Sequence, residues 1–79
     1  MTKDKIIERV KIIAEMLNCE FWTMVNPKDG MMHFRFMEIM NPENVFCFFI
    51  DPNKITESGI NGLTEYAAHE LYGDDVICQ

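Results

Sequence analysis

The sequence predicts an α+β fold in which a helix, a three-stranded antiparallel meander and a second helix form a single domain over residues 1–79. Three observations predict it. Apolar residues near both ends recur with a helical period, and the middle of the chain is rich in aromatic and β-branched residues. Clusters of Pro, Gly, Asn and Asp cut that middle into three segments. A chain of 79 residues and 9.3 kDa, 48% of them hydrophobic and 25% charged, has room for one core and not for a second lobe or a cofactor cleft between lobes.

In the first helix, expected over about residues 3–18, Ile6, Ile7, Val10, Ile13, Ala14 and Leu17 fall on one side of a 3.6-residue spiral. Thr2 stands where a cap is needed, and Asp4 lies near the positive end of the helix dipole. Lys11 and Glu15 are spaced for an i,i+4 ion pair. Ile12 and Met16 sit one turn apart at the edge of the apolar stripe. They are read as widening the face that rests on the sheet, the alternative being a partner contact.

Glu20–Asn26 (EFWTMVN) suits a pleated surface and forms the first expected strand. Asn26, Pro27, Lys28, Asp29 and Gly30 then supply a side-chain acceptor, a fixed φ and a residue free to take positive φ, as a type I turn with a bulge requires. The second strand, Met31–Ile39, alternates, with Met32, Phe34 and Phe36 directed to the core and Met31, His33 and Arg35 away from it. Asn41–Asn44 break the chain. Val45–Ile50 (VFCFFI) resumes it with no polar position, which predicts a third strand covered on both faces and a buried Cys47.

Ile60, Leu63, Ala67 and Leu71 outline the second helix, with Ser58 or Asn61 as its cap and its end near Gly73. Val76, Ile77 and Cys78 either pair as a minor edge strand or pack over the core. If both helices cover one side of the sheet, the other side carries either Cys47 and Phe49 or Phe46 and Phe48 beside His33 and Arg35. Such a half-apolar open face is a candidate interface for a homodimer or an adaptor.

Thirteen acids against seven bases give a formal charge of −6 and a pI near 4.7. The imbalance is uneven: the first eleven residues hold Lys3, Lys5, Arg9 and Lys11 against Asp4 and Glu8, whereas residues 36–79 hold one base, Lys54, against eight acids. A field of that sign repels nucleic acid and anionic membrane and attracts basic surfaces. The longest apolar run has six residues, where roughly 20 are needed to cross a bilayer, so no membrane span is expected. Three widely spaced cysteines, Cys19, Cys47 and Cys78, with no secretory signal before them, point to a reducing cytoplasm.

Little in the chain suggests catalysis or a cofactor. His33 and His69 have no carboxylate or thiolate placed beside them by spacing, and the Gly at position 73 removes the second histidine of a zinc-protease helix. The cysteines lack the CxxC spacing of a structural zinc site. Gly59 and Gly62 open the second helix between Glu57 and Glu65, where a phosphate would meet like charge. No enzyme, metal or cofactor is expected.

The residues expected to bind a partner are therefore the acids of the second half, Glu43, Asp51, Glu57, Glu65, Glu70, Asp74 and Asp75, together with Trp22, an aromatic of the type that anchors interfaces. The plain alternative for the acids is a solvated face that keeps a small domain dissolved. Carboxylates without compensating bases imitate a row of phosphates and occupy the basic groove that binds it.

In size, element order and charge the chain resembles the small acidic inhibitors that phages encode, of the anti-CRISPR type. That resemblance implies a non-enzymatic protein that binds a basic protein or nucleoprotein complex, such as a CRISPR effector, and blocks its DNA- or PAM-reading surface. Reversal of Glu65, Asp74 and Asp75 to lysine is then expected to weaken partner binding with the fold intact; an unchanged affinity in a titration would remove the electrostatic account.

Overall fold

The computed structural model describes residues 1–73, and the segment expected to pair or pack at Val76–Cys78 lies outside the described residues. Its elements follow the expected order: α1 (Lys3–Met16), β1 (Cys19–Val25), β2 (Met32–Glu38), β3 (Val45–Ile50) and α2 (Glu57–Tyr72). The sheet is an antiparallel meander with β2 at its centre.

Local chemistry sets the ends of each element. The Thr2 hydroxyl accepts the Lys5 N–H at 3.2 Å and caps α1. The helix stops two residues short of the expected end because Asn18 takes φ 57°, the left-handed conformation in which asparagine, with glycine, ends helices. In the β1–β2 turn the Asn26 side chain accepts the Lys28 N–H at 2.9 Å and its carbonyl accepts the Gly30 N–H at 2.8 Å. Gly30 sits at φ 75°, which a side chain would strain.

Thr56, and not Ser58 or Asn61, caps α2, its hydroxyl accepting the Gly59 N–H at 3.1 Å. The helix therefore starts earlier than its apolar stripe, because the cap belongs one turn ahead of Ile60, the first core residue. Gly73 ends α2 at φ 76°.

The core lies between one face of the sheet and both helices. Ile6, Val10, Ile13 and Ala14 of α1 and Ile60, Ala67 and Leu71 of α2 pack with Met32, Phe34 and Phe36 of β2 and Phe48 and Ile50 of β3. Phe34 stacks on Phe48 at 5.3 Å between ring centroids, Phe36 meets Phe48 edge-on at 5.1 Å, and Phe46 meets Tyr66 of α2 edge-on at 5.5 Å. Aromatic pairs in these arrangements add to the transfer of their surface from water.

Three expectations fail. Because both helices lie on one face, β3 is covered by the described residues on one side only, and Cys47 is exposed where the unbroken apolar run suggested burial. Ile12 and Met16 are 48% and 67% exposed, so they do not widen the face that rests on the sheet. Among the described residues the ion pair formed within 4 Å is Arg9 with Glu57, not Lys11 with Glu15.

Burial sharply divides the phenylalanines, and it predicts their mutational costs. Phe34→Ala or Phe36→Ala should lose about 3–5 kcal/mol, enough to unfold a domain of this size. Phe49→Ser, on the uncovered face, should cost under about 1 kcal/mol. Urea melts followed by far-UV circular dichroism check both; equal losses at the two kinds of site would contradict the one-sided core.

Candidate functional site: the open face of the sheet

The alternation that turns Met32, Phe34 and Phe36 inward turns His33, Arg35 and Met37 outward. Register carries this across the sheet. Glu20 and Val45 flank Met37, Trp22 and Cys47 flank Arg35, and Met24 and Phe49 flank His33, so nine outward residues form three rows. Strand β1, whose facing the sequence left open, turns Glu20, Trp22 and Met24 outward, and β3 turns out Cys47 and Phe49 in place of Phe46 and Phe48.

Six of the nine side chains on this face are apolar or weakly polar, and no other described residue covers it. Phe49 is 64% exposed, and Trp22, Met24 and Val45 are each over 40% exposed, so covering each would bring about half of the ~1.5–3 kcal/mol that burying a whole large side chain brings. The Arg35 guanidinium lies 5.3 Å from the centre of the Trp22 ring, and His33 meets Phe49 edge-on at 4.4 Å. Beside the Arg35–Trp22 pair, Glu20, Phe21, Trp22, Arg35 and Met37 line a shallow groove of about 170 Å³. Small-molecule sites start at roughly 300 Å³, so the groove suits a side chain of a partner better than a metabolite.

Of the residues expected to bind a partner, Trp22 alone belongs to this face. Glu57 is engaged inside the molecule: Arg9 donates to its carboxylate at 3.0 Å and to the Asn61 carbonyl at 2.6 Å, tying α1 to α2. That contact holds the Glu57 carboxyl below its ordinary range. Asp51 serves the turn after β3, its carboxylate accepting the Asn53 N–H at 3.0 Å and its carbonyl those of Lys54 and Ile55. Glu43, Glu65 and Glu70 are exposed. Glu65 and Glu70, five residues apart on α2, point about 140° apart around the helix and cannot share one face. Asp74 and Asp75 lie outside the described residues.

Polar residues that the sequence did not single out form a clasp at the end of the sheet where both helices finish. Tyr72 O–H donates to the Leu17 carbonyl at the end of α1, and the Cys19 S–H donates to the same carbonyl at 3.5 Å. Asn44 donates to the Leu71 carbonyl of α2 at 2.6 Å and to Glu38 at 3.0 Å. Carbonyls that a helix end leaves without partners are thus satisfied by side chains from the sheet end and from the other helix. Burial pushes the Tyr72 phenol up to about 12, with the Cys19 thiol and the Glu38 carboxylate adding to it. Burial likewise raises the Cys19 thiol, against a lowering by the neighbouring Tyr72 hydroxyl.

Among the described residues no group of three or more His, Cys, Asp or Glu is placed to hold a metal ion, and no helix is long and apolar enough to cross a membrane. No protein-family model matches the chain, and comparisons with curated proteins and with solved structures give no match.

Because the Tyr72 phenol is held protonated in the folded chain, its contribution is complete below its ordinary value of 10.0 and is lost as pH rises through about 12. Thermal melts should therefore fall over that interval. Tyr72→Phe should cost about 1 kcal/mol at neutral pH through the lost hydrogen bond and flatten the alkaline decline; a variant with the same alkaline slope as the wild type would show that another group is responsible.

Proposed function

We propose that this chain is a protein-binding domain that docks through the open face of its sheet, with Trp22 and Arg35 at the centre of the contact and Met24, Val45 and Phe49 around them. The observation that carries this reading is the exposure of those four apolar side chains on one face around a single guanidinium. Isolated exposed apolar residues are ordinary, but a contiguous group of them on a small domain marks an interaction surface. Tryptophan and arginine are also the residues that most often dominate binding energy, because each offers a large rigid surface with a polar tip.

A second reading rests on the exposed acids Glu43, Glu65 and Glu70. In it the chain acts as an inhibitor of the anti-CRISPR kind, its carboxylates standing in for phosphates on a basic nucleic-acid-binding complex. Two features weaken it relative to the sheet face: Glu57 already has an arginine, and Glu65 and Glu70 diverge around α2. On the sheet-face reading charge steers the encounter while shape and apolar contact hold the complex.

Affinity capture from nuclease-treated lysate separates the two. Bait carrying Trp22→Ala and Phe49→Ser should lose the protein that wild-type bait recovers, while bait carrying Glu65→Lys and Glu70→Lys should retain it. Retention by the first bait and loss by the second, with release of the wild-type complex by high salt, would transfer the function to the acids.

A further inference from the structure

We propose that the open sheet face is covered by a second copy of this chain, related by a two-fold axis, with Arg35 of each copy receiving the Glu20 carboxylate of the other. This names the occupant of the face and rests on the reading of that face as a docking surface.

The charge on this face favours a second copy. Among its nine outward residues the face carries one acid, Glu20, and one base, Arg35, histidine being left out of the formal charge. It is formally neutral, while the remaining described residues hold ten acids against six bases. Two copies of an acidic protein repel each other least when they approach through neutral faces with their helices turned outward.

Arg35 has no anionic partner among the described residues. Among the described residues no carboxylate lies within 4 Å of it, and its guanidinium rests on Trp22. A purely apolar cover would strand that charge out of water, so whatever covers the face must bring an acceptor. A guanidinium stacked on an aromatic ring keeps its edge of N–H donors for a carboxylate, which it can bind with two parallel hydrogen bonds.

A two-fold interface is self-complementary, so residue i meets j wherever j meets i. Glu20 stands opposite Met37, and Trp22 stands opposite Arg35, so these four occupy the corners of one cell of the sheet. An axis in the plane of the interface that bisects the Glu20–Arg35 diagonal at right angles, passing close to Trp22 and Met37, exchanges Glu20 with Arg35. It therefore forms both ion pairs at once and lays Trp22 and Met37 against their counterparts. With Phe21, the same four residues line the groove. A lone arginine at this place, without the diagonal acid, would have made self-association repulsive.

Three short strands about 4.8 Å apart offer a modest area, and an axis through this end cell leaves Phe49 at the rim, so two such faces bury less than about 1,000 Å², below the usual range for stable association. The dimer is thus expected at micromolar and higher concentrations, and weakened by salt to the extent that its ion pairs stay wet.

Sedimentation equilibrium over about 1–300 µM, a range set by the dissociation constant such an area allows, tests this directly. The wild type should approach twice 9.3 kDa as concentration rises. Glu20→Arg and Arg35→Glu, each placing like charges together across the axis, should weaken dimerisation at least tenfold, and the double exchange Glu20→Arg with Arg35→Glu should restore it. Recovery in the double variant also shows that neither single change acts by unfolding the chain. A wild type that stays monomeric at the highest concentration overturns the proposal, as does a dimer indifferent to the single reversals or a folded double variant that stays monomeric. A monomer whose capture of a different protein still depends on Trp22 would overturn the second copy alone and leave the docking face standing; capture indifferent to Trp22 removes the docking face as well.

Discussion

The pleat of β2 is the constraint on which the rest of this structure depends. As the central strand it is paired on both edges, so its side chains have only the two faces of the sheet to occupy. Phe34 and Phe36 must go to the covered face, since a chain of this length has few other residues large enough to fill a core. That requirement leaves His33, Arg35 and Met37 facing outward. A slip of one residue would bury the arginine and expose both rings, so the register is held by the energetic gap between the two arrangements.

Both edge strands inherit this division. Strand β3 contains no polar residue, yet half of it faces outward because pairing with β2 fixes its parity. Val45, Cys47 and Phe49 are there through their pairing partners and not through their own chemistry. Apolar side chains left uncovered in this way are costly to a small domain, and retaining them makes sense where a second surface covers them. The helices add nothing on that side: α1 and α2 spend their apolar stripes on the inner face, and Arg9, with Glu57 and Asn61, joins them to each other.

The acidic excess has several structural roles and is not a single feature. Glu57 fixes one helix to the other, Asp51 shapes the turn after β3, and Glu38 lies in the clasp around Asn44 and Tyr72. Glu20 stands on the sheet beside the arginine. The carboxylates left in solvent, Glu43, Glu65 and Glu70, are scattered over a loop and two sides of α2. Their combined field extends roughly a Debye length from the surface and can orient a basic partner without touching it.

Much of the fold was legible in the residues. The helical stripes, the Asn26–Gly30 turn, the bounds of β3 and the inward facing of Phe34 and Phe36 follow from period and turn chemistry, which are local. The helix ends were legible only in part. The Thr2 cap is legible in the residues, whereas Thr56 is not, because its cap signal lies a turn ahead of the stripe it serves, nor is Asn18, because its conformation depends on where β1 pairs. The candidate site was hardly legible at all. Trp22 could be named as an anchor type, but its facing, and the meeting of Glu20, Arg35 and Met37 around it, depend on the register of strands brought together by turns. The exposure of Cys47 was invisible for the same reason. Sequence by itself determined which segments pair and which residues of β2 enter the core, because those follow from neighbours along the chain. Only the tertiary structure decided that both helices share one face, and hence which residues remain in water, because burial is a property of what packs against a residue from elsewhere in the chain.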